Sequence, residues 1–176
     1  MRIEPAIRSI VLAFALSGCA APPTLSLLHT AGVPITQTPR PSIPLEVVTR
    51  STGVKDPLDV RGGHFAYADI ESAVGLAMST AAAPWAKAHE PARPEGWQLE
   101  AELIQADATY DEDRLIVTLG VRLTLRTRSD RRFLAQGQAG CRQSALRQPR
   151  DGAPVVYACI TQMGRDAASW LALVQP

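Results

Sequence analysis

Between Leu115 and Leu125 the chain alternates almost without interruption. Leu115, Val117, Leu119, Val121, Leu123 and Leu125 take the odd positions, and Thr118, Arg122, Thr124 and Arg126 take even ones. A period of two places the odd set on one face of a strand and the even set on the other. Trp97, Leu99, Ala101 and Leu103 alternate in the same way with Gln98, Glu100 and Glu102. The polar residues 109–113 between the two runs suit the turn of an antiparallel hairpin. After a turn at 128–131, Phe133, Ala135, Gly137, Ala139 and Cys141 predict a third strand with those side chains on one face. The apolar run Val155, Val156, Tyr157, Ala158, Cys159, Ile160 then predicts a fourth, reached through a turn at 149–152. Upstream, residues 44–50 carry Leu45, Val47, Val48 and Thr49 and predict a separate first strand.

Two segments follow a different period. Tyr67, Ile70, Val74, Ala77, Met78 and Ala81 recur every three or four residues, which marks one apolar face of a helix over roughly 67–83. Asp69 and Glu71 lie at the helix end whose dipole favours carboxylates, Pro84 is expected to end or kink it, and Ala73, Gly75 and Ala77 permit close approach to a sheet. Met163, Ala167, Trp170, Leu171 and Val174 predict a short C-terminal helix. A meander with one apolar face must have that face covered, and two amphipathic helices supply the cover. The expected fold is therefore α+β. It is a two-layer sandwich, with a largely antiparallel sheet of four to five strands covered on one face by two helices, in the order β-α-β-β-β-β-α.

The first eighteen residues have another character. Arg2 and Arg8 precede the apolar stretch Ile10 to Leu16, and Ser17 and Gly18 follow it before Cys19. A positive start, a short apolar centre and small residues describe a secretory signal too short to span a bilayer. Leu16-Ser17-Gly18-Cys19 resembles the lipobox of bacterial lipoproteins, in which the cysteine thiol takes a diacylglycerol before the peptidase cuts ahead of it. The resemblance implies a signal peptide over 1–18 and lipidation of Cys19. Because Ala20 and Ala21 stand where enteric lipoproteins retained at the inner membrane carry an aspartate, it also favours the outer membrane. Each buried methylene of an acyl chain contributes about 0.8 kcal/mol, so several chains hold a protein essentially permanently.

Residues 19–44 include Pro22, Pro23, Pro34, Pro39, Pro41 and Pro44 and predict a semi-stiff tether. At roughly 3.1 Å per residue it can lift the domain tens of ångströms from the membrane, although Leu25, Leu27 and Leu28 are also suited to docking on that domain. Residues 45–176 then form a single α+β domain facing the periplasm.

Charge narrows the partners. Losing Arg2, Arg8 and Glu4 with the signal leaves sixteen basic and sixteen acidic residues from the original 18 and 17. A neutral mature chain does not suit a nucleic-acid binder, which needs a basic excess. No nucleophile elbow, P-loop or G-x-G-x-x-G is present, so the chain reads as a non-enzyme with no cofactor. His29, His64 and His89 are scattered, and the acidic run Asp111, Glu112, Asp113 lacks the spaced oxygen ligands and glycine of a calcium loop. No metal site is expected.

Cys141 and Cys159 stand at equal distance from a turn centred near Arg150. If residues 155–160 form the fourth strand, the two cysteines face one another across a hairpin, at a spacing a disulfide accepts. An exported chain meets an oxidising compartment, so a disulfide is expected, stabilising the fold by about 3 kcal/mol through loop-closure entropy. A metal or redox pair would lack a third ligand and the C-x-x-C spacing. Arg122, Arg126, Arg131 and Arg132, with Arg128 between them, gather on the polar face and turn of the central hairpin. Their plain reading is a solvated sheet face whose charges discourage aggregation. Their functional reading is a surface for lipid headgroups or an acidic partner. Trp85, Trp97 and Trp170 are expected in the core, with Trp170 packing the last helix on the sheet.

The lipobox, the helix from Ile70 to Trp85, the strands from Trp97 and Leu115, and the closing Arg165-Asp166-Ala167-Ala168-Ser169-Trp170-Leu171 together resemble the ABC-type transport auxiliary lipoproteins. That resemblance covers most of residues 45–172. It implies a membrane-anchored accessory of an envelope lipid-transport system, with transport proteins as partners and phospholipid as a candidate ligand. The alternative is an envelope-assembly lipoprotein that helps insert lipopolysaccharide or organises outer-membrane pores.

Overall fold

A computed structural model describes residues 24–27, 45–62, 66–90, 95–146 and 152–175. The signal segment, Cys19 and most of the proline-rich stretch lie outside the described residues, as do His29 and His64. The architecture is α+β, with seven strands and two helices. In chain order these are β1 (Thr24–Ser26), β2 (Leu45–Ser51), β3 (Leu58–Arg61), β4 (Ala66–Ala68), α1 (Ile70–His89), β5 (Trp97–Asp111), β6 (Arg114–Thr127), β7 (Phe133–Leu146) and α2 (Ala153–Leu171).

The long meander β5–β6–β7 is antiparallel throughout and carries the sheet. Its core face is the set read from the alternation: Leu99 and Leu103 of β5, and Leu119, Val121, Leu123 and Leu125 of β6, are all essentially inaccessible to solvent. Burying each such side chain contributes about 1.5–3 kcal/mol. Both helices lie against this face, α1 over β2 and α2 over β6 and β7, and they also pack on each other. The small residues are placed for these contacts. A Cβ on Gly75 of α1 would fall 2.4 Å from the Thr49 hydroxyl of β2, and one on Gly164 of α2 would fall 3.3 Å from the Ala77 carbonyl of α1.

Two strands share the remaining edge of β5, both parallel to it. β2 pairs from Leu45–Trp97 to Ser51–Leu103, and β3 pairs at Val60–Ala108 and Arg61–Thr109. Between these stretches the register against β6 slips by one residue at Ile104. This bulge reverses the parity of β5, so that Ala108 is buried along with Leu99 and Leu103. β4 pairs antiparallel to β3 and parallel to β1, whose Ser26 hydroxyl donates to the Asp69 carboxylate at 2.5 Å. Leu27, just beyond β1, is fully buried.

Several sequence expectations need correction. Residues 155–160 are not a fourth meander strand. They are the first half of α2, because Val156, Cys159, Ile160, Met163, Ala167 and Leu171 continue one buried stripe at helical spacing, with proline in the first turn. The meander has three strands, and the sheet gains its others from β1 to β4. α1 does not stop at Pro84 but runs on to His89. Pro84 is exposed, as is Thr80, whose carbonyl loses its helical N–H donor to the proline, and burial of Trp85 and Ala86 holds the following turn. Phe133 does not share the face of Ala135. The register slips at Leu134, which turns Phe133 to the opposite face, paired with Arg126 and 52% exposed.

Candidate interaction surface

The sheet face away from the helices is covered by no other element among the described residues. Gln98, Glu100 and Glu102 of β5, Thr118, Arg122, Thr124 and Arg126 of β6, and Gln136, Gln138 and Arg142 of β7 share it by register. The polar residues at even positions of β6 indicate this exposed face.

Its charges are matched across neighbouring strands. Arg122 donates to Glu102 at 2.8 Å from the directly opposed position on β5. Arg50 of β2 reaches Glu100 at 3.3 Å, Arg61 of β3 reaches Asp107 at 3.4 Å, and Arg128 reaches Glu46 at 3.6 Å. Exposed pairs of this kind stabilise by about 0–1 kcal/mol each, so their main effect is to neutralise the face and fix strand order.

The four candidate arginines are therefore not one cluster. Arg122 sits mid-sheet, neutralised by Glu102. Arg126 lies at the sheet end with its guanidinium carbon 6.0 Å from the Phe133 ring centre, and it donates to the Arg131 carbonyl at 3.5 Å. Arg131, at φ 54°, and Arg132 belong to the β6–β7 turn. That turn closes on Thr127, whose buried hydroxyl donates to the Asp130 carboxylate and accepts from the Arg132 amide at 2.9 Å. The Thr127 hydroxyl, and then the Arg132 amide, hold the Asp130 carboxyl below its usual range. Sequence reasoning missed the carboxylate partners, although Glu100 and Glu102 already stood on the polar positions of the strand opposite Arg122.

A shallow depression of about 430 Å³ opens on this face beside the bulge, lined among others by Ile104, Gln105, Gly120, Gln138, Gly140 and Arg142. Gly120 and Gly140 are directly opposed across β6 and β7. Neither has a positive φ, and a Cβ on either would meet its neighbours at ordinary contact distance. Interior packing therefore does not account for glycine at these two positions. Gly137 differs, because a Cβ there would lie 2.5 Å from the Trp170 indole nitrogen. Trp170 thus packs α2 onto the sheet across a glycine, as expected of it.

Cys141 of β7 and Cys159 of α2 are disulfide-bonded with their Cα atoms 5.4 Å apart. The bond joins strand to helix, not strand to strand. His89 contacts the Trp85 carbonyl at 2.8 Å, and its ring lies 4.6 Å from that of Trp85, which in turn packs edge-on against Trp97 at 5.1 Å; both indole nitrogens are buried without hydrogen-bond partners among the described residues. Asp111, Glu112 and Asp113 are exposed at the β5–β6 turn. Among the described residues no three His, Cys, Asp or Glu side chains are grouped to hold a metal ion. Near the start of α1, burial is the first cause of a raised Asp56 carboxyl pKa. The charges of Asp69 and Glu71 add to the rise, and the Asp69 amide, donating at 3.2 Å, opposes it.

No known family profile matches the chain, and neither does any curated protein. Among solved structures, a Xanthomonas campestris protein of the DUF330 family superposes with a TM-score of 0.51 at 14% identity, covering 76% of this chain and 88% of that one. A Caulobacter crescentus protein described as a lipoprotein gives a TM-score of 0.47 at 12% identity, over 74% and 92% of the two chains. The first of these likenesses shows that the chain shares the fold of the Xanthomonas protein.

Proposed function

We propose that this chain is a membrane-anchored, non-enzymatic accessory lipoprotein of an envelope lipid-transport system. It is held by Cys19 at the outer membrane, with its α+β domain in the periplasm. The observation that carries the reading is the Leu16-Ser17-Gly18-Cys19 lipobox directly after a short apolar signal stretch. A domain that buries one sheet face under two helices and whose other face, among the described residues, is uncovered, polar and internally neutralised suits docking to proteins or lipid headgroups. The reading also accommodates the disulfide, which suits an oxidising compartment.

The test is a crosslinked pull-down of the full chain from envelopes, with protein and lipid mass spectrometry, alongside fractionation of Cys19→Ser. Recovery of a permease, ATPase or substrate-binding subunit, with membrane retention lost in the variant, is the expected result. Recovery of lipopolysaccharide-insertion or pore components would replace transport with envelope assembly. Turnover on a broad ester and glycan panel would overturn the non-enzymatic reading.

A further inference from the structure

The last strand of the sheet differs from its other open edges. β1 is only three residues long, and β2 carries Glu46 and Arg50, both held in ion pairs. β7 runs for 14 residues as Phe-Leu-Ala-Gln-Gly-Gln-Ala-Gly-Cys-Arg-Gln-Ser-Ala-Leu, with no proline, no lysine and Arg142 as its single charge. Among the described residues it pairs with β6 alone, so its other side presents a row of unpaired backbone groups. Proteins normally shorten, charge or cover such an edge, because it otherwise pairs with another chain. α2 covers one face of β7, through the disulfide and the Trp170–Gly137 contact, but not the edge itself.

We infer that β7 pairs antiparallel with β7 of a second copy of this chain, about a two-fold axis perpendicular to the sheet at Gly140. The sequence of the strand carries the choice of occupant. Antiparallel pairing must place like faces opposite each other, and an axis at Gly140 does so. It sets Arg142 opposite Gln138 of the second copy and Ser144 opposite Gln136, so no like charges meet. It also brings Leu146, 67% exposed, against the Phe133–Leu134 bulge of the other strand, where Phe133 is 52% exposed. Two of the large apolar side chains left in water by one chain thereby cover each other in the pair. In-register parallel pairing would instead put Arg142 beside Arg142 and leave these ends apart. Both helices α2 fall on the same side of the joined sheet. The inference rests on β7 and is independent of the lipid anchor.

The test is sedimentation velocity on the purified full chain in mild detergent, for wild type, Gln138→Lys and Gln138→Glu. Residue 138 is exposed, and circular dichroism confirms folding of each variant. The wild type is expected to be a dimer. Gln138→Lys, which sets lysine opposite Arg142 twice per dimer, should weaken association at least about tenfold, and Gln138→Glu should preserve or tighten it. In parallel, a photo-crosslinker at position 138 in cells should yield an adduct of twice the chain mass. A wild-type monomer at the highest soluble concentration would overturn the inference. So would an assembly indifferent to both substitutions, or a crosslink to a different protein.

Discussion

Cys141 and Cys159 meet across the two layers of the domain, one from the edge strand β7 and the other from the buried side of helix α2, with 5.4 Å between their Cα atoms. Trp170, farther along the same helix, rests over Gly137 of the same strand. Helix and strand are thus held at two points, one covalent and one steric.

Removing the covalent point should be costly. Cys141→Ala/Cys159→Ala is expected to lower unfolding free energy by about 3 kcal/mol, the loop-closure term for a separation of 18 residues. Urea denaturation of the variant and of oxidised wild type measures the difference. A loss below about 1 kcal/mol would mean that packing alone holds α2.

The glycines of β7 should respond in opposite directions. Gly137→Ala drives a methyl into the Trp170 indole and should cost about 1–3 kcal/mol. Gly140→Ala meets no close neighbour and should be neutral or stabilising by up to about 1 kcal/mol. Thermal melts of both variants at one protein concentration decide the point.

Asp56 gives a pH signature. Its folded-state pKa is raised, chiefly by burial, so its ionised form is disfavoured in the native state. The stability linked to it is fully present below the unfolded value of 3.8 and is lost as pH rises through the raised folded value. Asp56→Asn retains an acceptor for the Asp69 amide. It should therefore stabilise the protein at neutral pH, with the gain vanishing in strong acid. A gain that is the same at pH 3 and pH 7 would contradict this assignment.

Charge reversal separates two roles on the open face. Arg122→Glu faces Glu102 with a like charge and should cost about 0.5–1 kcal/mol in urea unfolding. Arg126→Glu loses its seat over Phe133 and its bond to the Arg131 carbonyl but no ion pair among the described residues, and should cost less. If the face serves the proposed function, the double variant should also reduce partner capture and alter membrane permeability. Unchanged capture and permeability would leave the arginines a purely structural role.

Much of this architecture was legible in the sequence. The odd positions of β6 and the first half of β5 announced their buried face, because a half-exposed strand has no other way to satisfy both sides. The spacing Ile70, Val74, Met78 announced α1. The segment after Gly152 was misread because a continuous apolar run of six residues fits a buried strand and a buried helix equally well. Only the extension of the stripe through Met163 and Ala167 distinguishes them. The bulge at Ile104 was not legible, because a turn over 109–113 leaves the odd positions of both strands on one face without it, and only the observed pairing of Asp111 with Arg114 demands it. Leu99 and Leu125 share a face, yet a two-residue turn at Glu112–Asp113 gives the opposite parity, so one residue must be absorbed between them. The contributions of β1, β3 and β4 were not legible, since strands of three or four residues carry too little pattern to rise above loop sequence. Of the surface, residue types were readable but pairings were not, because which carboxylate meets which arginine depends on strand order.

Consider, finally, how the domain would bear a load. A pull transmitted along the chain from the Cys19 side reaches the fold at Thr24 and acts first on the three-residue pairing of β1 with β4 and on the buried Leu27. The long ladders of β5, β6 and β7, and the cross-link at Cys141 and Cys159, lie away from that line of force. Tension would strip β1 and Leu27 before disturbing the meander. The short strand would then act as a mechanical fuse that gives way first and spares the body of the protein.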